Sequence, residues 1–236
     1  MIPEVLTFGR TGFADELLRG AVVTLYIAVL AFTLGVFLGL IGAMSKLYGG
    51  PVSRAVANFY TTVIRSIPEL VLILFLFFAG TRGISTLGEL VGYGPVNVNG
   101  TVAAILVLGI VQGAYSTEVL RGAIQAIPTG QLEAAKAYGM SPFQTFNRVI
   151  FPAMLPNAIP GLANLWLVVI KDTALIMVTG ASAELAQATK NAAGFTKRYF
   201  LFYFVALLIY LAMTMVSNIF LQRLERYVRR GQQKLA

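Results

Sequence analysis

Arg65, Glu69, Glu118, Lys171 and Asp172 lie within or at the edges of long apolar stretches. A charge at the centre of a bilayer costs about 2.5–3.5 kcal/mol on insertion scales, so each of these groups needs a partner or water. Arg65 and Glu69 are four residues apart and would pair along one helix face, while Pro68 between them removes a backbone donor. Two readings follow: a structural ion pair in a kinked helix, or groups facing a translocation path or its gate. Glu118 stands near Arg121 at the end of another apolar stretch, where an inner gate, a loop anchor and a solvated helix end are alternatives. Lys171 and Asp172 are adjacent and point in different directions on a helix, so one of them is expected to meet a neighbouring span or a second subunit. A cationic solute would need carboxylates along its way. Glu69, Glu118 and Asp172 are the candidates.

The rest of the chain supplies little for catalysis. Histidine and cysteine are absent, which removes thiol chemistry, the commonest metal ligand and the usual neutral-pH proton shuttle. Neither a G-x-x-x-x-G-K-[ST] phosphate loop nor a G-x-S-x-G elbow occurs, so the expectation is a transport subunit rather than an enzyme. With 57% hydrophobic and 12% charged residues and a mean hydropathy of +0.77, the 236 residues describe an integral membrane protein. The net charge of +8 is then assigned to basic loops beside an anionic leaflet, not to nucleic-acid binding.

These charges must be carried by membrane-spanning helices of about 20 apolar residues each. Five stretches qualify, at about 20–44, 55–79, 101–121, 154–179 and 199–221, which predicts an all-α membrane domain covering residues 1–236. The first run starts only near Gly20 and is too long for the apolar core of a cleavable leader. Gly35 and Gly39 within it have the small-xxx-small spacing of close helix packing. Pro152, Pro156 and Pro160 recur every four residues where the fourth begins; a loop-to-helix transition is expected, with a bent helix beside a central path as the alternative. Lysine and arginine outside the spans number ten on the side of residues 128–150 and six on the other, counting Arg10, Arg230 and Lys234. That places the N-terminus outside and the C-terminus inside.

Between the third and fourth spans lies "LEAAKAYGMSPFQTFNRVIFP", residues 132–152, a polar interruption in an apolar chain. Gln131 to Tyr138 form a helix of good helix formers, and Gly139 sits where a left-handed cap belongs. Ser141, Pro142 and Gln144 then open a second helix as a capping box with proline at its first position, and that helix is predicted to stop at Pro152. Leu132, Ala135 and Tyr138 share one stripe, with Ala134 small enough for close approach, and Phe143, Phe146 and Ile150 share another. By pattern alone this is either a docking segment for another protein or a helix resting on the bilayer.

"EAAKAYG", nine further residues and "VIFP" resemble the EAA signature of bacterial ABC importer permeases: Glu133, Ala134, Ala135, Gly139 and Pro152 match, with Val149 and Phe151 as apolar substitutes. "RSIPELVLILFLFF", "AYSTEVLRGAI" and "IKDTALIMVTG" are similar to the polar amino acid subfamily, whose members carry histidine, arginine, lysine, ornithine and opines. The resemblance implies a type I importer transmembrane domain in the bacterial inner membrane. It implies a coupling helix that includes Leu132, Glu133, Ala134, Ala135, Tyr138, Gly139, Met140, Ser141 and Gln144 and docks in a cytoplasmic ATPase. It also implies a homologous second permease, two ATP-binding subunits that hold ATP and Mg, and a periplasmic solute-binding protein. The path residues would be Arg65, Glu69, Glu118, Lys171 and Asp172. An ion-coupled secondary transporter of polar amino acids is the alternative, but it leaves the EAA segment without a purpose.

Overall fold

A computed structural model describes residues 3–9, 12–180 and 182–229. Arg10, Arg230 and Lys234, counted above for orientation, lie outside the described residues. All regular structure among the described residues is helical: a 3₁₀ turn at Pro3–Leu6, α1 (Ala14–Tyr48), α2 (Pro51–Ser66), α3 (Glu69–Leu90), α4 (Gly100–Gln125), α5 (Thr129–Ala137), α6 (Pro142–Thr145), a π turn at Phe146–Ile150, α7 (Phe151–Asp172), a 3₁₀ segment at Thr173–Thr179, α8 (Leu185–Thr196) and α9 (Tyr199–Val228). Five helical runs are long and apolar enough to cross a membrane: α1, α3, α4, the run Pro142–Thr179 and α9.

α1 and α4 form the spine. Gly39 and Gly42 of α1 meet Ser116 and Thr117 of α4 so closely that a Cβ at either position would collide with them. Gly35 does the same against Gln112, where an added Cβ would fall 2.8 Å from the Gln112 Cβ. The small-xxx-small spacing is therefore a helix–helix seam. Gln112 is buried and donates 3.0 Å to the Leu165 carbonyl, which ties α7 to the same spine. Ile27, Leu108, Val169 and Ile170 close the core around it.

Two expectations need correction. The stretch 55–79 is not one helix. α2 ends at Ser66, Ile67 and Pro68 are extended, and α3 starts at Glu69. Proline excludes the helical conformation from the residue before it, and Ile67 takes φ −100° and ψ 140°. α2 is consequently amphipathic in its own right, with Ala57, Thr61 and Ile64 buried and Val52, Val56 and Phe59 exposed. The helix after the polar segment, in turn, does not stop at Pro152. It continues through Pro152, Pro156 and Pro160 as α7. The π turn before it, closed by Phe151 N–H on the Phe146 carbonyl, widens the backbone just where the Pro152 ring would press on the preceding turn. The prolines thus lie inside a continuous helix and are not a loop-to-helix transition.

Candidate functional site

The polar segment folds as two capped helices joined at a fixed angle. α5 ends in a Schellman motif: Gly139 N–H bonds the Lys136 carbonyl at 2.9 Å and Met140 N–H the Ala135 carbonyl at 3.1 Å. Gly139 has φ +69°, the left-handed conformation expected of it. Ser141 then caps α6, its hydroxyl accepting from Gln144 N–H at 3.3 Å while the Gln144 side chain accepts from Ser141 N–H at 2.9 Å. Both caps stand where the residue order puts them.

The stripe Leu132–Ala135–Tyr138 is not a single contact face. Ala135 is buried, and Leu132 is half-buried against the cluster of Leu120, Ile124, Ile127 and Met154 that joins α4 to α7, while α5 itself packs on α6 and the π turn. Phe146 and Ile150 join the same cluster. Tyr138 is 85% exposed and points away from it, together with Glu133, Ala134, Gly139, Ser141, Phe143 and Gln144. Met140 is half-buried at the joint. A segment anchored on one side and presenting Glu133, Ala134 and Tyr138 on the other is a rigid wedge. Such a face suits a groove on another protein.

Directly beside it, Glu118 is spent on two cations. Lys46 of α1 reaches it at 2.5 Å and Arg121 at 2.9 Å, and Lys46 also donates to Thr61 of α2 at 2.6 Å. The cluster fastens α1, α2 and α4 together.

The break between α2 and α3 gathers the remaining charges. Arg65 lies 5.9 Å over the Tyr115 ring of α4. The Tyr115 hydroxyl interacts with the Glu69 carboxylate, and Glu69 in turn is close enough to Asp172 to repel it. No ion pair joins Arg65 to Glu69 among the described residues, because the two stand on either side of the break rather than on one helix face. Lys171 is exposed, and its positive charge lies close enough to act on the Asp172 carboxylate. Asp172 closes α7, and Thr173 begins the 3₁₀ segment there. Arg65, Glu69, Tyr115 and Asp172 are therefore brought together, with Lys171 at the exposed edge beside Asp172, while Glu118 is not among them. The apolar grooves between α1 and α2 (about 480 Å³) and between α7 and α9 (about 560 Å³) include none of these groups.

Two polar residues escaped the sequence reading. Tyr115 is a phenol one turn before Glu118 on α4, and that spacing was the available signal. Glu184 caps α8, a helix the sequence reading did not foresee; it is fully buried and accepts from Ala186 N–H and Gln187 N–H, both at 2.7 Å. Burial pushes its carboxyl up, against the pull of those amides. Among the described residues no group of three or more acidic, histidine or cysteine side chains could hold a metal ion.

An all-helical chain with five apolar spans, broken helices beside buried charges and a seated docking wedge defines a membrane transport permease. Residues 18–230 match the family of binding-protein-dependent transport system inner membrane components, and the chain belongs to that family. The histidine/lysine/arginine/ornithine transport system permease protein HisQ of Escherichia coli is 42% identical over 215 residues, covering 91% of this chain and 94% of HisQ. The nopaline transport system permease protein NocQ of Agrobacterium fabrum is 38% identical over 229 residues, covering 96% and 97%. A crystallised amino acid ABC transporter with histidines superposes with a TM-score of 0.77 at 32% identity, over 91% of this chain and 95% of that one. The inward-facing MetNI methionine transporter, with a TM-score of 0.71 at 22% identity over 92% and 98%, shares the fold. The domain is that of a type I ABC importer, and the protein is a permease subunit.

Proposed function

We propose that this permease takes up basic amino acids or opines, driven by separate ATP-binding subunits on which the face Glu133, Ala134, Tyr138, Gly139, Ser141 and Gln144 docks. The observation that carries the reading is the two-sided seating of α5. Leu132 and Ala135 belong to the chain's own core, so any displacement of the exposed face is passed to α4 and α7 without slack. ATP and Mg reside in the partner subunits, where binding closes the pair and moves the docked wedge. Movement of α4 and α7 shifts Tyr115 and Asp172 relative to Glu69 on α3, and the same groups then face the other side of the membrane.

Glu69 and Asp172 supply negative charge for a cationic solute. Arg65 and the Tyr115 hydroxyl beside them suit the carboxylate such solutes also carry. Lys171, exposed beside Asp172, is assigned to the path wall shared with a homologous second permease. Glu118 is assigned to anchoring rather than to the path, since both of its partners belong to this chain. The N-terminus lies on the periplasmic side and the C-terminus in the cytoplasm, with the solute delivered by a periplasmic binding protein. The names and substrates of HisQ and NocQ support this assignment. The test is uptake of labelled arginine, lysine and octopine into proteoliposomes that hold the full assembly. ATP-dependent accumulation of at least one is expected, and uptake driven by an ion gradient without ATP would overturn the proposal.

A further inference from the structure

A helix N-terminus is ordinarily capped by serine, threonine, aspartate or asparagine. α8 uses Glu184 instead, and uses it fully buried. The longer side chain does what a short cap cannot: its Oε2 also accepts from Tyr210 of α9 at 3.2 Å and from Thr24 of α1 at 3.5 Å. Thr24 is itself committed, because its oxygen accepts from Leu185 N–H at 3.1 Å, which leaves its hydrogen for the carboxylate. Tyr210 also packs against the core cluster that holds Val169, Ile170 and Ile176, and its hydroxyl lies beside Thr173. Thr173 donates 2.7 Å to the Ile170 carbonyl at the point where α7 gives way to the 3₁₀ segment. Its neighbour is Asp172. Four donors converge on Glu184, so the buried carboxylate is compensated and the network has one arrangement.

We infer that Glu184 is a positioning residue for the solute path: through Tyr210 and Thr173 it holds the start of the 3₁₀ segment, and with it the Asp172 carboxylate, in place. The inference rests on the assignment of Asp172 to the path. Its consequence is that α8, which packs on α1 and α9 outside the apolar spans, is joined to the segment that carries the path carboxylate through Tyr210, which is bonded to Glu184 and packed against both core clusters.

The test is equilibrium binding of labelled arginine, with lysine and octopine as further probes, to the complete detergent-solubilised transporter without binding protein. Thermal stability is recorded in parallel. Tyr210→Phe keeps the ring and removes the link, and Glu184→Gln keeps the shape and removes the charge. Each is expected to weaken arginine binding about five- to tenfold. In an Asp172→Glu background, where the carboxylate has already been displaced, Tyr210→Phe is expected to add less than about twofold. A purely structural role would instead lower thermal stability and weaken binding by the same factor in both backgrounds, which overturns the inference, as does unchanged binding in Tyr210→Phe and Glu184→Gln. Asp172→Asn separates the two levels. If it weakens binding while the network variants do not, only the positioning role falls. If it binds like the wild type, or the wild type binds none of the probes, the path assignment falls and takes the inference with it.

Discussion

At the break between α2 and α3, Glu69 and Asp172 face each other with Tyr115 and Arg65 beside them, and neither carboxylate is ion-paired among the described residues. Unpaired charges in a membrane domain are rare and face a cavity or a neighbour. Asp172→Asn and Glu69→Gln are therefore expected to lower ATP-dependent uptake of arginine about tenfold or more, the equivalent of ~1.4 kcal/mol. Full uptake in either variant would remove that residue from the path. The sequence made the cost of these charges plain but not their grouping. Arg65 and Glu69 read as an i,i+4 pair only if the helix is unbroken, and the pre-proline effect at Ile67 defeats that. Tyr115 carries no local signal, because a phenol in an apolar span is ordinarily accounted for by its apolar ring and polar tip. Glu184 was passed over because nothing local marks a buried cap.

Among the elements, the caps were the most legible part of the chain. Gly139, Ser141 and Gln144 act through neighbours three residues away or fewer, so their order suffices to place them. What lay beyond local sequence was the side to which α5 turns: Leu132 goes inward because the cluster of Leu120, Ile124 and Met154 comes to meet it, and Ala135 is buried. The continuity of α7 was missed for a related reason, since three prolines at four-residue spacing argue locally against a helix. Here the preceding π turn and the Gln112 tie to Leu165 support it. At the same end, the triad Lys46–Glu118–Arg121 holds three helices. Glu118→Gln leaves Lys46 half-compensated at 9% side-chain exposure. The expected loss lies between the ~1 kcal/mol of a surface pair and the ~3–5 kcal/mol of a broken buried one. It is checked by the thermal stability of the purified assembly, and an unchanged melting temperature would deny the triad its anchoring role.

On the scale of the whole molecule, α9 presents Phe204, Leu208, Leu211, Met215 and Ile219 outward, as a helix facing lipid or a second subunit does. The chain has no cysteine, so single cysteines report sidedness without interference. Tyr138 and Phe195 are exposed by 85% and 82% and stand on the docking wedge and on α8. With an impermeant maleimide, Phe195→Cys is expected to label in intact spheroplasts and Tyr138→Cys only in inverted vesicles. The reverse pattern would invert the topology.

The central claim is that the capped wedge of residues 129–145 is where the permease is driven. A β-branched residue at φ +69° is strained by ~1–2 kcal/mol, so Gly139→Val distorts the joint without altering any exposed charge. Glu133→Arg reverses a charge on the exposed face without touching the seat. The decisive measurement is ATP hydrolysis by the reconstituted assembly, with and without solute-loaded binding protein, for the wild type and these two variants. Stimulation in the wild type that is lost in both variants, with membrane insertion unchanged, is the predicted result. Stimulation that survives in both would make the segment an interfacial helix and contradict the account.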